Sequence, residues 1–256
     1  MNRIKNYEKL KIRIVNWLKD YYSKNNIRGF VVGVSGGIDS AVVSTLCCET
    51  EIPTYLLTLP LHTKKETFKL SNEHCFNLVM KSNNVSHASV DLSSTYDALI
   101  HEFYDNYKFT HTKLANANTK ARLRMTTLYQ AAGCLGHIVV GTGNKVEDYG
   151  IGFFTKYGDG GVDIAPIADL YKTEVRELGK YLGVDQRIID AKPTDGLWED
   201  GRTDEDQIGA TYEELEEAME NGRGPSVDIL KKFNKQNQHK MKPIPTFKLR
   251  KNFWLI

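Results

Sequence analysis

The amino-acid sequence predicts an α/β fold, a single domain in which helices flank both faces of a parallel β-sheet. Four short apolar runs alternate with segments of helical periodicity between residues 29 and 141. Alternation of this kind is typical of βαβ units, which build parallel sheets. The first run passes directly into a Gly-rich turn and then a helix. No internal repeat or break in composition divides the 256 residues, so one domain is expected.

The first half of the chain supplies the sheet. Residues 4–24 are predicted to form an amphipathic helix, because apolar side chains recur there at helical spacing. The strands are predicted at residues 29–34, 54–59, 86–92 and 137–141. The helices between them are predicted after Ser40 to about residue 49, and at residues 64–81, 93–106 and 116–135. Ligands bind beyond the carboxyl ends of parallel strands, so the polar loops at two of these ends are the expected site.

The second half of the chain contains two long polar segments, residues 142–169 and 192–206. The first is rich in Gly, Asp and Lys, and long loops of this kind commonly carry function. Further helices are predicted at residues 171–183, 211–221 and 225–236. The tail, residues 240–256, contains two prolines and is predicted to be extended.

Charge and composition narrow the classes of protein. The net charge of +2 argues against a dedicated nucleic-acid binder, which usually carries a strong basic excess. The polar residues 1–11 do not form a signal peptide, and no apolar run approaches the roughly 20 residues of a membrane span. The cysteines form no C-x-x-C pair, so we expect reduced thiols without a metal or disulfide. A cytoplasmic enzyme is therefore expected.

A Gly-rich turn between the first strand and the next helix is the most informative stretch. It consists of Gly33, Val34, Ser35, Gly36, Gly37, Ile38, Asp39 and Ser40. Two adjacent glycines allow a sharp turn, and the N–H groups at the start of a helix form a concavity that suits an anion. Asp39 would repel a bare phosphate, but it makes sense if it holds a cation that bridges to phosphates.

This stretch is neither a Walker A loop nor a dinucleotide fingerprint, because G-x-x-x-x-G-K-S/T and G-x-G-x-x-G are both absent. The alternative without a ligand is a helix N-cap preceded by a Gly turn. The strand before and the helix after the turn favour a phosphate loop. The string S-G-G-x-D-S resembles the pyrophosphate loop of the ATP pyrophosphatases, which include tRNA-thiolating enzymes, GMP synthetase, asparagine synthetase and NAD synthetase.

Other motifs distinguish among these families. Six further segments resemble the NAD synthetases in order and spacing: residues 118–125, 141–147, 153–161, 163–166, 170–172 and 192–195, followed by His239 and Lys240. The resemblance covers nearly the whole chain, and the run F-F-T-K-Y-G-D-G is highly specific. It implies a fold similar to the adenine nucleotide alpha hydrolases. It also implies a single synthetase domain over residues 1–256 without a glutaminase domain.

The resemblance implies an ammonia-dependent NAD synthetase, the enzyme of the last step of NAD biosynthesis. ATP adenylates the nicotinate carboxylate of deamido-NAD and pyrophosphate leaves; ammonia then displaces AMP and forms the amide. Mg²⁺ is the implied cofactor and ATP a co-substrate. The family further implies a homodimer with deamido-NAD bound at the subunit interface.

The resemblance also assigns roles to individual residues. Gly33 to Ser40 contact the ATP phosphates, and the other implied ATP-binding residues are Thr142, Lys172 and Thr194. Asp39 and Glu147 are the implied ligands of Mg²⁺. The implied deamido-NAD-binding residues are Arg122, Lys156, Asp163, His239 and Lys240. The implied catalytic residues are Lys172, a point charge on phosphate, and Asp159, which guides or deprotonates ammonia.

Each assignment has a structural alternative. A solvated basic helix is the alternative for Arg122, a helix cap for Glu147, and an ordinary first-turn position for Lys172. A solvated helix end is the alternative for His239 and Lys240. Five residues separate Glu147 from Phe153, more than in many relatives, so Asp148 is the substitute metal ligand.

Two other functions compete with the synthetase. A tRNA-modifying enzyme would need a catalytic cysteine pair and a basic surface, and neither the cysteine spacing nor the charge of +2 supports it. A non-catalytic nucleotide-binding module would be expected to lack the phosphate loop or the metal carboxylates. Both are present in this sequence.

Overall fold

A computed structural model describes residues 3–106, 112–198 and 200–249 of the chain. Its strands form one sheet in which every neighbouring pair runs parallel. The strands are β1 (Phe30–Gly33), β2 (Thr54–Thr58), β3 (Val85–Ser89) and β4 (Ile138–Val140), in the spatial order β3-β2-β1-β4. Phe30 of the central strand β1 pairs with Thr54 on one side and with Ile138 on the other. The parallel sheet confirms the predicted fold class.

Helices cover both faces of this sheet. They are α1 (Tyr7–Lys24), α2 (Ile38–Cys48), α3 (Lys65–Lys81), α4 (Ser93–Asn106), α5 (Thr112–Leu135), α6 (Lys172–Tyr181), α7 (Gln186–Ile189), α8 (Asp204–Ile208), α9 (Tyr212–Asn221) and α10 (Val227–Met241). Successive side chains of a strand point to opposite faces. Val32 accordingly packs in a cluster with α1, α2, α3 and α6, whereas Val31 packs with α4 and α5. No helix within the described ranges has the length and apolar character needed to cross a bilayer.

A third apolar cluster forms in the second half of the chain. A π-helix, Val146–Ile151, packs there with α9 and α10 around the fully buried side chain of Tyr212. The π-helix ends at Gly152, whose φ of 64° lies in the left-handed region that favours glycine. A Cβ at Gly152 would lie 2.6 Å from Cβ of Asn237, so only glycine lets α10 approach this closely. The cluster fixes the segment that follows β4.

Two segments predicted as loops contain helices. Residues 142–169 include the π-helix, and the segment 192–206 leads into α8, which begins at Asp204. Neither helix has the long 3.6-residue apolar repeat on which the sequence prediction depended. A π-helix is usually a single turn, so a periodicity search does not detect it.

Two other helices are longer than predicted. Helix α5 begins at Thr112 rather than residue 116, and its first turns are tied to α4 by a hydrogen bond from the Tyr104 hydroxyl to Asn116 Oδ1 (2.8 Å). Helix α10 continues to Met241, because its last turns bond to the carbonyl groups of Ile151, at the end of the π-helix, and of Phe154, just after it. Residues 242–249 form no helix or strand, and the rest of the predicted extended tail, residues 250–256, lies outside the described residues.

Candidate functional site

The phosphate loop connects β1 to α2. Gly36 has a φ of 91°, and a Cβ there would lie 3.1 Å from the carbonyl oxygen of Thr67, so a glycine is required. The Ser40 hydroxyl donates to the carbonyl of Gly37 (3.0 Å), and Ser35 Oγ accepts the N–H of Gly37 (3.2 Å). Gly37 caps α2 without a side-chain bond to the first turn. The amide groups of that turn are therefore open to an anion.

Lys172 lies at the centre of the site. Its ammonium Nζ is 2.5 Å from Asp39 Oδ2 and 3.1 Å from Glu147 Oε1, and its side chain is almost completely buried. The three residues come from α6, from the first turn of α2 and from the π-helix. Burial opposes the charge on Lys172, but the carboxylates of Asp39 and Glu147 outweigh it and raise the pKa of Lys172. The lysine is therefore a charged ammonium between two carboxyl groups.

The residues at this centre fit a magnesium ion. Asp39 Oδ1 is buried and has no hydrogen-bond partner among the described residues, and burial raises the pKa of this carboxyl group. Asp39 and Glu147 already converge on one cation, and carboxylate oxygens beside a phosphate loop are the donors that Mg²⁺ prefers. Within the described ranges no group of three or more acidic, histidine or cysteine side chains is arranged to hold a metal alone. Water and phosphate oxygens would complete the coordination, as is usual for Mg²⁺.

Glu147, rather than Asp148, shares Lys172 with Asp39. The carboxyl group of Asp148 lies instead against Gly143, where an added Cβ would meet Asp148 Oδ2 at 2.3 Å. Burial and the neighbouring charge of Glu147 raise the pKa of Asp148 to about 7. The segment of five residues between Glu147 and Phe153 therefore places the Glu147 carboxylate beside Lys172 at the centre of the site, with Asp148 next to it.

Two residues of this centre were missed from the sequence. The hydroxyl of Tyr212 lies 2.7 Å from Glu147 Oε1 and 3.3 Å from Asp204 Oδ2. Burial, and then the charge of Glu147, raise the pKa of Asp204 to about 7. Thr203 and Thr211 form capping boxes that mark the starts of α8 and α9. That local signal locates the helices but does not indicate which side chains reach Glu147.

Four predicted deamido-NAD residues come together around residues 153–161. Lys156 Nζ donates to the carbonyl of His239 (3.2 Å), and Lys240 Nζ donates to the carbonyl of Phe154 (2.6 Å). Arg122 Nε of α5 donates to the carbonyl of Lys156 (3.2 Å). Helix α10 thus brings the His239–Lys240 pair to a segment more than 80 residues earlier in the chain. The arrangement collects basic side chains at one edge of the site.

Asp159 and Asp163, the two remaining acidic residues predicted for the site, differ in their surroundings. Asp159 is an exposed residue whose carboxylate accepts the N–H of Thr155 (2.9 Å). The protein atoms that surround this carboxyl group raise its pKa to about 6. Asp163 uses both oxygens within the fold: one accepts the Tyr129 hydroxyl (3.0 Å) and the other the N–H of Val139 (2.7 Å). Asp163 therefore joins β4 to α5 in this structure.

The two predicted ATP-binding threonines lie on separate loops. Thr142 follows β4 and is half-buried between two glycines. Thr194 is exposed; its Oγ1 accepts the N–H of Gly196 (3.2 Å) and donates to the carbonyl of Arg202 (3.3 Å). The segment that carries Thr194 is joined to α5 by Lys120, whose Nζ donates to the carbonyl of Leu197 (3.2 Å).

Comparison with known proteins gives a consistent set of relatives. The family described as NAD synthase matches residues 10–252. The NH₃-dependent NAD⁺ synthetase of Carboxydothermus hydrogenoformans is 41% identical over 243 residues, which cover 94% of this chain and 97% of that protein. The NH₃-dependent NAD⁺ synthetase of Finegoldia magna is 41% identical over 251 residues, 97% of this chain and 100% of that protein.

Solved structures show the same similarity. The NMN synthetase of Francisella tularensis superposes with a TM-score of 0.86 at 36% identity, covering 96% of this chain and 100% of that one. The NH₃-dependent NAD synthetase of Campylobacter jejuni, in complex with a nitrate ion, superposes with a TM-score of 0.75 at 27% identity and the same coverage.

Proposed function

The chain belongs to the NAD synthase family, and from that membership we propose that it amidates deamido-NAD to NAD with ammonia in an ATP-dependent reaction. The reaction proceeds through an adenylated nicotinate carboxylate and releases pyrophosphate and AMP. The observation that carries the proposal is the meeting of Lys172, Asp39 and Glu147 beside the phosphate loop. A carboxylate becomes a good acyl donor only when one oxygen is converted into a leaving group, and this centre is built to hold the phosphates that do so.

The phosphate loop and Lys172 bind and orient ATP in this proposal. The first-turn amides of α2 donate to the phosphates, and Lys172 supplies a positive charge where negative charge develops on the leaving pyrophosphate. Asp39 and Glu147 would hold Mg²⁺, which supplies Lewis-acid stabilisation of the phosphate oxygens when bound. Thr142 and Thr194 contact the nucleotide from the loop after β4 and from the segment before α8.

The basic edge around residues 153–161 binds the second substrate. Arg122, Lys156 and Lys240 gather where α5 and α10 meet this segment, and their positive charges suit the anionic phosphates of deamido-NAD. His239 and Asp163 belong to the same proposed surface. Asp159 lies within this segment, and a carboxyl group with a pKa of about 6 is ionised at neutral pH. It can attract ammonium and accept its proton.

The proposal includes a cytoplasmic homodimer. Leu99 of α4 and Leu114 of α5 are 49% and 62% exposed on neighbouring helices, and Val90 adds a third exposed apolar side chain. A second copy of the chain would cover such a surface. Sedimentation velocity of the wild type and of Leu114→Glu tests this assignment. A monomeric wild type at micromolar concentration would contradict it.

A second candidate substrate is nicotinate mononucleotide, with NMN as the product. The similarity to the NMN synthetase of Francisella tularensis favours it, because the TM-score of 0.86 exceeds the 0.75 of the Campylobacter jejuni NAD synthetase. Both acceptors carry the same nicotinate carboxylate, so the chemistry at Lys172 is unchanged. Deamido-NAD has an adenylyl half, which the basic edge would contact, and nicotinate mononucleotide lacks it.

One assay distinguishes these functions. The purified protein is incubated with ATP, Mg²⁺ and ammonium chloride, together with either deamido-NAD or nicotinate mononucleotide. Amidated product and AMP are quantified by liquid chromatography and mass spectrometry. We expect equimolar NAD and AMP with deamido-NAD. A higher kcat/KM for nicotinate mononucleotide would select the second candidate, and the absence of AMP with both acceptors would contradict both.

A further inference from the structure

Tyr212 contacts both charged partners of the proposed metal and phosphate centre. Its side chain is fully buried, and its hydroxyl lies 2.7 Å from Glu147 Oε1. The ammonium of Lys172 lies 4.9 Å from the centre of the Tyr212 ring, within the range of a cation–π contact. A single side chain of α9 therefore touches the acidic and the basic member of the centre at once.

A second residue of α9 holds the start of α6, the helix that carries Lys172. Glu216 accepts the N–H of Thr173 (3.0 Å) and the hydroxyl of Thr173 (2.6 Å). Thr173 directly follows Lys172 at the start of α6. Tyr212 and Glu216 are four residues apart, so they lie on one face of α9. That face is joined to Glu147 through Tyr212 and to the beginning of α6 through Glu216.

Glu147 needs such support because of where it lies. It belongs to a π-helix of only six residues, a form that is rare and short. Both Lys172 and Tyr212 bond to its Oε1, and no hydrogen bond within the described ranges involves Oε2. Oε1 is thus held by protein groups, while Oε2 remains available to an incoming cation.

We propose that Tyr212 is a positioning residue: it fixes the Glu147 carboxylate relative to the Lys172 ammonium and thereby sets the affinity of the site for a divalent cation bound with ATP. This inference rests on the proposed function for the identity of the nucleotide. Partners that orient a metal-binding side chain without touching the metal commonly change metal affinity by about 10–100-fold when they are removed. A buried hydrogen bond to a carboxylate is also one of the stronger kinds.

The test compares Tyr212→Phe with the wild type. Mn²⁺ binding is measured by electron paramagnetic resonance in the presence of α,β-methylene-ATP, which cannot release pyrophosphate. We expect the dissociation constant of Mn²⁺ to rise about 10-fold or more. In turnover assays the KM for Mg²⁺ should rise in parallel, while the KM for deamido-NAD stays within about twofold, because the basic edge does not contact Tyr212.

Tyr7→Phe is the matched control. The Tyr7 hydroxyl on α1 is buried and has no hydrogen-bond partner among the described residues, so its removal should leave Mn²⁺ affinity unchanged. Wild-type Mn²⁺ affinity in Tyr212→Phe would overturn the proposal. So would an equal loss of affinity for Mn²⁺ and deamido-NAD, because that pattern indicates a general loosening of the site.

A second variant keeps the proposal testable if Tyr212→Phe does not fold. Glu216→Gln weakens the attachment of α9 to Thr173 and should raise the Mn²⁺ dissociation constant several-fold; an unchanged constant would overturn the proposal. The binding measurement does not require turnover. A wild-type protein that binds Mn²⁺ and the ATP analogue but does not amidate deamido-NAD would refute the proposed function, while Tyr212 would still be tested.

Discussion

The ammonium of Lys172 lies 2.5 Å from a carboxylate oxygen of Asp39, although 133 positions separate the two residues in the sequence. This lysine neutralises part of the negative charge that Asp39 and Glu147 would otherwise bury. Burial of two unpaired carboxylates is unfavourable, so some cation must accompany them. Lys172 provides the neutralising positive charge in this structure. During the reaction, a metal ion accompanied by phosphates would provide part of it.

The first prediction concerns the two proposed metal ligands. Asp39→Asn and Glu147→Gln keep the shape of the side chains and remove the charges that hold the cation. We expect each to lower kcat/KM by about 100-fold or more at limiting Mg²⁺, since such centres supply several kcal/mol of transition-state stabilisation. The melting temperature should change by only a few degrees. Wild-type turnover in both variants would contradict the assignment of these ligands.

The second prediction concerns the stability provided by Lys172. Lys172→Met leaves two buried carboxyl groups without their ammonium, and we expect a loss of about 3–5 kcal/mol in the free energy of unfolding. Added Mg²⁺ should restore part of it, because the ion replaces the missing charge. Lys180→Met on the same helix is the control: its ion pair with Glu177 is about half exposed and should contribute at most about 1 kcal/mol. Equal losses in the two variants would be inconsistent with this account.

The third prediction concerns pH. Burial raises the pKa of Asp204 to about 7 in the folded protein, from an ordinary value of 3.8, so the folded state holds this proton more tightly than the unfolded chain. Its contribution to stability is therefore present below about pH 4 and is lost as pH rises toward 7. Asp204→Asn removes this dependence. Melting temperatures are measured without metal, and the melting temperature of the wild type is subtracted from that of the variant. This difference should increase between pH 5 and 8. A difference that does not change with pH would argue against the raised pKa.

The fourth prediction concerns the nitrogen donor. A glutaminase needs a reactive thiolate, whereas burial raises the pKa of the Cys47, Cys48 and Cys75 thiols. We expect the purified chain to form NAD with ammonium and not with glutamine that has been freed of ammonium. The rate at fixed total ammonium should increase with pH, because the attacking nitrogen needs a lone pair. Comparable rates with the two donors would show an amidotransferase activity.

Several elements of the fold could be predicted because their signals are local. The apolar run before Gly33 and the helical pattern after Ser40 bracket a phosphate loop whose residues are contiguous, so sequence alone located it. The strands and most helices followed from periodicity in the same way. The π-helix at Val146–Ile151 was missed, since a single turn has no repeat to detect. The last turn of α10 was missed because its stability comes from the bond between Lys240 and Phe154.

By itself the sequence determined the α/β class, the phosphate loop, the resemblance to the NAD synthetases and the residue types of the site. Only the tertiary structure decided how these residues meet: Lys172 between Asp39 and Glu147, Asp163 bonded within the fold, and α10 packed on the basic edge. Tyr212 and Asp204 entered the site in the same way. The physical reason is that these contacts join residues far apart in the chain. Their geometry depends on how the helices after β4 pack into a third apolar cluster, which no local pattern encodes.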